Sequence, residues 1–204
     1  MILRIHRPSS KTHYAPTRTP TSYINSRDNA KHTPSRTVRP QPSPKNDNKT
    51  QNMKTVIQRV KTASVHTDGA LLSSIGKGFL ILLGIENGDT DRDIASLTRK
   101  ITHLRVFEDD QGKMNRDIGD SGGSILLVSQ FTLCAQCRHG NRPAFTAAMP
   151  PEQARSMVED FGRALEQNGI PVKYGRFGAM MDVSLVNDGP VTIILESRDG
   201  AILR

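Results

Sequence analysis

A Gly-Pro pair interrupts the last apolar stretch of this sequence and limits how that stretch can enter a sheet. Asn187-Asp188-Gly189-Pro190 precedes a second apolar run at residues 191–195. Proline has a fixed φ and no N–H to donate, so it is disfavoured in the middle of a sheet, and the peptide bond before it can be cis. Gly189 has no Cβ, which lets the backbone approach another group closely. The turn-forming composition of these four residues predicts a turn between two strands.

A second unusual stretch follows another apolar run. Residues 124–128 read as a buried strand, and Ser129, Gln130, Phe131 and Thr132 continue directly from it. Their hydroxyl and amide groups could satisfy a neighbouring loop. Alternatively, they line a pocket in which polar side chains and backbone N–H groups bind a carbonyl or a ribose. The stretch by itself leaves both interpretations open.

The sequence contains no other familiar catalytic motif. It has no Gly-x-Ser-x-Gly elbow and no phosphate-binding loop, and His66, His103 and His139 have no triad setting. Cys134 and Cys137 form a single Cys-x-x-Cys, which has too few neighbouring ligands for zinc and follows a strand rather than a thioredoxin-like unit. We therefore expect no metal and no cofactor, and the scarcity of cysteine fits a reducing compartment.

The positive charge of the chain belongs to its first quarter. Residues 1–52 contain 10 Lys and Arg against 2 acidic residues, whereas residues 53–204 contain 18 of each, and the whole chain carries +8. Residues 1–52, called the leader below, also hold 7 of the 12 prolines, and this composition predicts disorder. One interpretation is that residues 1–52 are a mitochondrial or plastid transit peptide, of which their composition is typical. The other is that translation begins at Met53, in which case we expect the protein in the cytoplasm. Neither a secretory signal nor a membrane span is predicted.

Apolar patterns in residues 53–204 predict an α+β domain. Asp68-Gly69 is a hairpin signal, and the apolar run 79–85 predicts a strand buried on both faces. Few strands are separated by helices, so we expect a mixed or antiparallel sheet with two helices on one side. Other strands are predicted at 55–60, 63–67, 104–107, 124–128, 172–174, 180–186 and 191–196. The helices are predicted from the stripes Ile94, Leu97, Ile101, Leu104 (about four turns) and Val158, Phe161, Leu165.

Together these motifs are similar to those of the D-aminoacyl-tRNA deacylase family. Residues 129–132 resemble the first active-site motif of that family, and residues 187–192 resemble its second. Further segments that resemble the family lie at residues 53–60, 140–143 and 175–178. The resemblance covers the whole of residues 53–204 and leaves residues 1–52 outside.

The resemblance implies a small β-barrel-like α+β fold that forms a homodimer. It also implies that the Gly189–Pro190 bond is cis, and that each subunit inserts this pair into the active site of its partner as a chiral selector. Residues 129–132 would form the catalytic floor of that site.

The resemblance assigns supporting roles as well. Arg59, Asn187 and Met181 would hold the Gly-Pro loop. The chain departs from the family at two places, because Met180 stands where the family has aspartate and Cys134 stands where many members have tyrosine. The first departure puts in doubt any polar contact made at that position, and the second predicts a change of packing.

The implied reaction is hydrolysis of the ester that joins a D-amino acid to the 3′ end of tRNA, a chiral proofreading step of translation. A rigid backbone wall would reject L-amino acids but could not exclude glycine, so we expect activity on glycyl-tRNA. The ester is already activated, so orientation, the N–H groups near Phe131 and Thr132 and the ribose 2′-OH could suffice. Thr132 as a nucleophile is the alternative. Arg138, His139 and Arg142 could contact tRNA phosphates, whereas so few aromatic residues predict no base-stacking platform.

Two other functions stay open. One is that of a relative with a trans Gly-Pro bond, which removes L-alanine from a mischarged tRNA; here the two active-site motifs resemble the D-specific branch instead. The other is a non-catalytic DNA-associated role, in which the basic leader would be the DNA-binding arm. Because residues 53–204 are neutral, we do not expect them to bind DNA.

Overall fold

The computed structural model describes residues 51–138 and 140–204. The predicted leader lies almost entirely outside these residues, as does His139, so what was inferred about them stays a prediction. The helices are α1 (Asp91–Thr102) and α2 (Pro151–Gln167), and a 3-10 turn spans Phe131–Cys134. The strands are β1 (Met53–Thr67), β2 (Ala70–Ile75), β3 (Gly78–Gly84), β4 (Phe107–Glu108), β5 (Met114–Arg116), β6 (Ser124–Ser129), β7 (Val172–Tyr174), β8 (Asp182–Arg198) and β9 (Ala201–Ile202).

Seven of these strands form one curled, mixed sheet. The order is β7-β6-β3-β1-β8-β9, and β2 pairs with the end of β1 after the predicted hairpin turn. Strand β3 lies parallel to β6 and antiparallel to β1, and six of its seven residues are buried. This is the position expected for a strand that is apolar throughout.

Both helices cover the same face of the sheet. The stripe residues Ile94, Leu97 and Ile101 of α1 are buried in one core with Phe161 and Leu165 of α2 and the strands beneath them. A smaller core fills the other face, because side chains alternate across the strands. It consists of Val60, Ala63, Val65, Ile75, Leu80, Leu126 and Val128. The predicted α+β fold with two helices on one side is confirmed.

The turn predicted at Gly189-Pro190 is wrong, and the two strands expected on either side of it are one strand. Both halves of β8 run antiparallel to β1: Thr192 pairs with Gln58, and Asn187 pairs with Val60. Between these pairs β8 advances five residues while β1 advances two, so the intervening residues form a wide bulge. The chain does not reverse at the Gly-Pro pair, because β1 is 15 residues long and pairs with both halves of β8.

Helix α1 is shorter than the predicted four turns. It ends at Thr102, whose hydroxyl donates to Thr98 O at 3.1 Å. Leu104 still packs against the core, but it does so from the segment after the helix. The next strand accordingly begins at Phe107 rather than at Leu104.

Asn52, assigned to the leader from composition, is packed into the domain. It is 7% exposed, and its backbone N–H donates to Glu86 Oε2 at 2.8 Å. Its side-chain amide donates to Glu196 Oε2 at 2.9 Å and accepts from Arg198 Nε at 2.9 Å. Contacts with the domain therefore begin upstream of Met53.

We predict that Gly78→Ala destabilises the domain strongly and that Gly76→Ala does not. Gly78 has a φ of 154°, and a Cβ there would lie 1.8 Å from Ser124 O on the neighbouring strand. The added methyl must separate two central strands, which we expect to lower the free energy of unfolding by about 3 kcal/mol. A Cβ at Gly76 meets no atom within 4 Å. Urea unfolding of both variants measures the difference, and equal midpoints would contradict this prediction.

Candidate active site

The floor of the site forms where β6 meets the 3-10 turn. Ser129 ends β6 opposite Leu83 of β3. The backbone N–H of Gln130 donates to Leu83 O at 2.7 Å and fixes the start of the turn at the end of the sheet. The side-chain amide of Gln130 donates to Thr132 Oγ1. The four consecutive residues predicted for the floor, including Phe131, all line the same cavity.

A cavity of about 830 Å³ opens over this floor. Its other walls come from the end of β3, the start of α2 around Pro150 and Pro151, and the segment that leads into β8. Among the residues that the structure describes, none of those lining the cavity carries an ionisable side chain. The cavity has the size of a small-molecule site but can supply only hydroxyls, an amide and backbone groups for chemistry.

An exposed pair of aromatic rings borders the cavity. Phe131 is 59% exposed and Phe145 is 36% exposed, and their ring centroids lie 5.0 Å apart at an interplanar angle of 66°. Phe145 was missed from the sequence, because it belongs to an irregular segment with no motif of its own. The low aromatic content argued against a stacking surface, yet the fold places two of the six phenylalanines side by side at the site.

Cys134 anchors the buried end of the 3-10 turn. Its thiol donates to Ile85 O at 3.4 Å, and burial, helped by the nearby Glu86, raises the pKa of this thiol to about 12. Cys137 is exposed, and both cysteines are free. The Cys-x-x-Cys thus pairs a neutral, packed thiol with an exposed one, which accords with the packing role predicted for Cys134.

Two neighbouring acidic residues, the buried Glu86 and the half-buried Asp89, lie in the segment between β3 and α1. Glu86 is 2% exposed and forms an ion pair with Lys54. Asp89 Oδ2 accepts from the backbone N–H of Glu86 at 2.7 Å. Burial raises the pKa of Asp89 to about 7, and the charges of Asp93 and Glu86 act in the same direction.

Arg59 of β1 contacts the bulge of the neighbouring strand β8. Its side chain is 4% exposed, and Nε donates to Asp188 O at 3.0 Å and lies 3.3 Å from the Asp188 carboxylate. The same guanidinium also donates to Val106 O. The predicted supporting residue is therefore in contact with the residue that precedes the Gly-Pro pair.

Asn187 closes the bulge from its own strand. Its Oδ1 accepts from the backbone N–H of Val191 at 2.9 Å, across the Gly-Pro pair. The peptide bond between Gly189 and Pro190 is cis. Gly189 has a φ of 135°, and a Cβ there would lie 2.7 Å from Val191 Cγ2, so the position requires glycine. Gly189 and Pro190 are exposed and are not among the residues that line the cavity of their own chain.

The two methionines before β8 lie on the cavity side. Met181 lines the cavity, packs against the smaller core and accepts a hydrogen bond from Arg176 N at 3.3 Å. Its role in holding a Gly-Pro loop stays a prediction. Met180 is 92% exposed and also lines the cavity, so it brings a thioether where the family brings a carboxylate.

The predicted phosphate-contacting arginines lie apart from the floor. Arg138 and Arg142 are exposed in a loop that is closed by the pairing of Gln136 with Ala144. Neither lines the cavity. His139 lies outside the described residues, and the contact of this loop with tRNA stays a prediction.

Comparison with known proteins decides the family. Residues 56–196 match the family model described as D-Tyr-tRNA(Tyr) deacylase. The chain belongs to this family. Curated D-aminoacyl-tRNA deacylases from Thermomicrobium roseum and Thermus aquaticus are each 54% identical to it over 147 residues, which is 72% of this chain and 96% and 97% of theirs. The one from Chlorobaculum tepidum is 56% identical over 146 residues, covering 71% of this chain and 97% of its own.

Solved structures agree with the deacylase fold. One, that of a c-Myc DNA Unwinding Element Binding Protein, is 48% identical, with a TM-score of 0.68 over 72% of this chain and 99% of its own. Another, that of a probable eukaryotic D-amino acid tRNA deacylase, has a TM-score of 0.61 over 72% of this chain and 100% of its own. At 14% identity the second likeness concerns the fold alone. The resemblance stated from the sequence is confirmed.

Residues 51–138 and 140–204 present neither a metal-binding cluster nor a membrane-spanning helix. Over these residues, no group of three or more His, Cys, Asp or Glu side chains is placed to hold a metal ion. No helix in the same part of this deacylase-family chain is long and apolar enough to cross a membrane.

We predict that Asp89→Asn stabilises the protein at pH 8 and not at pH 4. In the wild type the raised pKa means that ionisation of Asp89 favours the unfolded chain, so the stabilising contribution of Asp89 is complete below about pH 4 and is lost as the pH rises through about 7. Asparagine keeps an oxygen for the N–H of Glu86 and cannot ionise. Urea unfolding at both pH values measures the gain. The control Asp120→Asn removes an exposed carboxylate and should show no such pH dependence, and an equal gain from Asp89→Asn at both pH values would contradict the assignment.

Proposed function

We propose that this protein hydrolyses the ester of D-aminoacyl-tRNA to free D-amino acid and tRNA, as a chiral proofreading step in translation. The observation that carries the proposal is the combination, in one domain, of the floor at residues 129–132 with the clamped Gly189-Pro190 bulge. The names of relatives that are 54–56% identical support the same reaction.

The composition of the cavity favours a reaction that needs no ionisable side chain. The N–H groups of Phe131 and Thr132 open the 3-10 turn and have no acceptor within it, and neither donates to another backbone carbonyl of the described residues, so both can stabilise an oxyanion. The 2′-OH of the terminal ribose, which the substrate brings with it, assists the attack of water. Thr132 is the weaker candidate, because a hydroxyl nucleophile requires a base and the described lining contains none.

The Gly189-Pro190 bulge acts as the chiral selector of a second subunit. It is exposed and does not line its own cavity, so a homodimer is needed to bring the two parts together. Its carbonyls would bind the ammonium of the substrate and occupy the space that an L side chain requires. A backbone fixed by Arg59 and Asn187 cannot rotate away, unlike a side chain. Glycyl-tRNA has a hydrogen in both positions and would escape this exclusion.

The surface beside the bulge supports an association of two copies. Val186 and Ile194 lie on β8, on either side of the Gly-Pro pair, and are 52% and 45% exposed. Apolar side chains exposed on both flanks of an exposed backbone segment form the kind of surface that a second copy of the chain could cover. This surface and the bulge would be covered together in a homodimer.

Recognition of the RNA would centre on the terminal aminoacyl-adenosine. The domain has no net charge, so few phosphates are expected to be bound. Arg138 and Arg142 are the proposed additional contacts. The reaction would take place in the cytoplasm, or in an organelle if residues 1–52 are a transit peptide.

A DNA-associated role is the second candidate. It is favoured by one observation: the solved structure that is 48% identical to this chain is that of a protein named for binding a DNA unwinding element. That likeness covers 72% of this chain and so lies mostly in the neutral residues 53–204, whereas the DNA contact itself is proposed for the basic residues 1–52. Editing of L-alanyl-tRNA is less well supported, because the curated relatives above are named for D-aminoacyl-tRNA.

We expect the full-length protein to hydrolyse D-Tyr-tRNA about 10⁴-fold faster than L-Tyr-tRNA, a ratio that corresponds to about 5.5 kcal/mol of steric exclusion. Glycyl-tRNA should be hydrolysed as well. Single-turnover hydrolysis of the three substrates at one enzyme concentration measures these rates. Equal rates on the D and L esters, or no hydrolysis of either, would refute the proposed function.

The mechanism predicts that Thr132→Ala retains activity within about tenfold of the wild type, since the change removes a hydrogen-bond acceptor and no nucleophile. The matched control is Thr146→Ala, an exposed threonine outside the floor. Hydrolysis of D-Tyr-tRNA measures both variants. A fall of Thr132→Ala to the uncatalysed rate would instead favour a threonine nucleophile.

The RNA supplies the complementary measurement for the same mechanism. A D-Tyr-tRNA that ends in 2′-deoxyadenosine should react at least about 100-fold more slowly with the wild-type enzyme, the usual contribution of an assisting acid or base. An unchanged rate would show that the 2′-OH takes no part.

A further inference from the structure

The cavity of the candidate active site has a neighbour with different chemistry. A second cleft of about 440 Å³ shares the lining residues Ser129, Val158 and Phe177 with it. Phe177 therefore lies on the wall between the two spaces. It belongs to the segment 175–178 that resembles the deacylase family, and the proposed reaction gives it no role.

Arg155 of α2 faces this shared wall. Its guanidinium carbon lies 4.8 Å from the centroid of the Phe177 ring, a cation–π contact that fixes the guanidinium while leaving N–H groups free to donate. Among residues 51–138 and 140–204, no carboxylate lies within 4.0 Å of Arg155. Arg155 thus has no ion-pair partner among the described residues, and it stands at the border of a cavity whose own described lining is uncharged.

Apart from Ser129 on the shared wall, the other polar side chains of the cleft are already engaged or acidic. Arg163 forms an ion pair with Asp160. Tyr174 donates to Glu166 at 3.1 Å, and burial and this carboxylate raise the pKa of its hydroxyl to about 12. Glu159 also lines the cleft and would repel a phosphate placed beside it. An anion in this cleft would therefore bind at Arg155, next to the shared wall.

We propose that the cleft binds the nucleotide immediately 5′ of the terminal adenosine of the RNA, with Arg155 contacting the phosphate that joins the two nucleotides. This rests on the proposed function, which places the aminoacyl-adenosine in the larger cavity. The linking phosphate then passes the wall where Arg155 stacks on Phe177. Proteins bind single-stranded RNA through this combination of arginine and aromatic side chains. The Glu159 carboxylate would accept from an exocyclic amino group of the base, as acidic side chains do with cytosine.

The test compares three esters of D-tyrosine with the full-length protein: D-Tyr-tRNA, the D-tyrosyl ester of the dinucleotide CpA, and the D-tyrosyl ester of adenosine, which lacks the phosphate. We expect Arg155→Ala to lower kcat/KM for the tRNA and the dinucleotide about tenfold, which is the effect of losing one charged hydrogen bond, and to leave the adenosine ester unchanged. Arg99→Ala, which removes an exposed arginine from the last turn of α1, is the matched control and should change none of the three.

The outcomes separate this inference from the proposed function. If the wild type hydrolyses none of the three esters, the proposed function fails. If the wild type is active but Arg155→Ala lowers all three rates equally, Arg155 acts by supporting the cavity and the cleft is not a nucleotide site. An unchanged rate for all three esters, or a wild type that does not prefer the dinucleotide over adenosine, would overturn the inference as well.

Discussion

The Gly189-Pro190 bulge depends on the hydrogen bonds of one buried guanidinium, that of Arg59. A buried charge without acceptors costs several kcal/mol, so Arg59 can occupy the interior only where oxygens surround it. Those oxygens come from Asp188 in the bulge of β8 and from Val106 in the segment before β4. One side chain of β1 thereby joins two distant parts of the chain. The bulge is part of the packed structure for this reason, even though its tip is exposed.

The same sheet keeps the two halves of the proposed activity apart. The floor lies where the strands β3 and β6 end, whereas the Gly-Pro pair lies beside residues 58–60 of β1, near the start of β3. The described lining of the cavity offers orientation, an amide and backbone donors but no ionisable group. Such a site is suited to an ester that is already reactive, because the protein then has to position the substrate more than to activate it.

Most of the architecture could be predicted from the sequence, because the periodicity of the core residues is strong. Helix α1 was predicted from the stripe of Ile94, Leu97 and Ile101, and strand β3 from its uninterrupted apolar run. The bulge could not be predicted, because Gly-Pro predicts a turn locally and only the length of β1 decides that both flanks pair with it. The position of Phe145 likewise depends on tertiary packing, and no local pattern indicates it.

The register of β8 limits how the chain can vary around the Gly-Pro pair. Both flanks are paired in the ladder of β1, so a slide by one residue would turn the inward side chains, Leu185 before the pair and Leu195 after it, to the other face. An inserted or deleted residue at 188–191 must then change how far the bulge projects. The number of residues between Asn187 and Thr192 therefore sets the size of the bulge. We expect insertions and deletions to be tolerated less there than conservative substitutions.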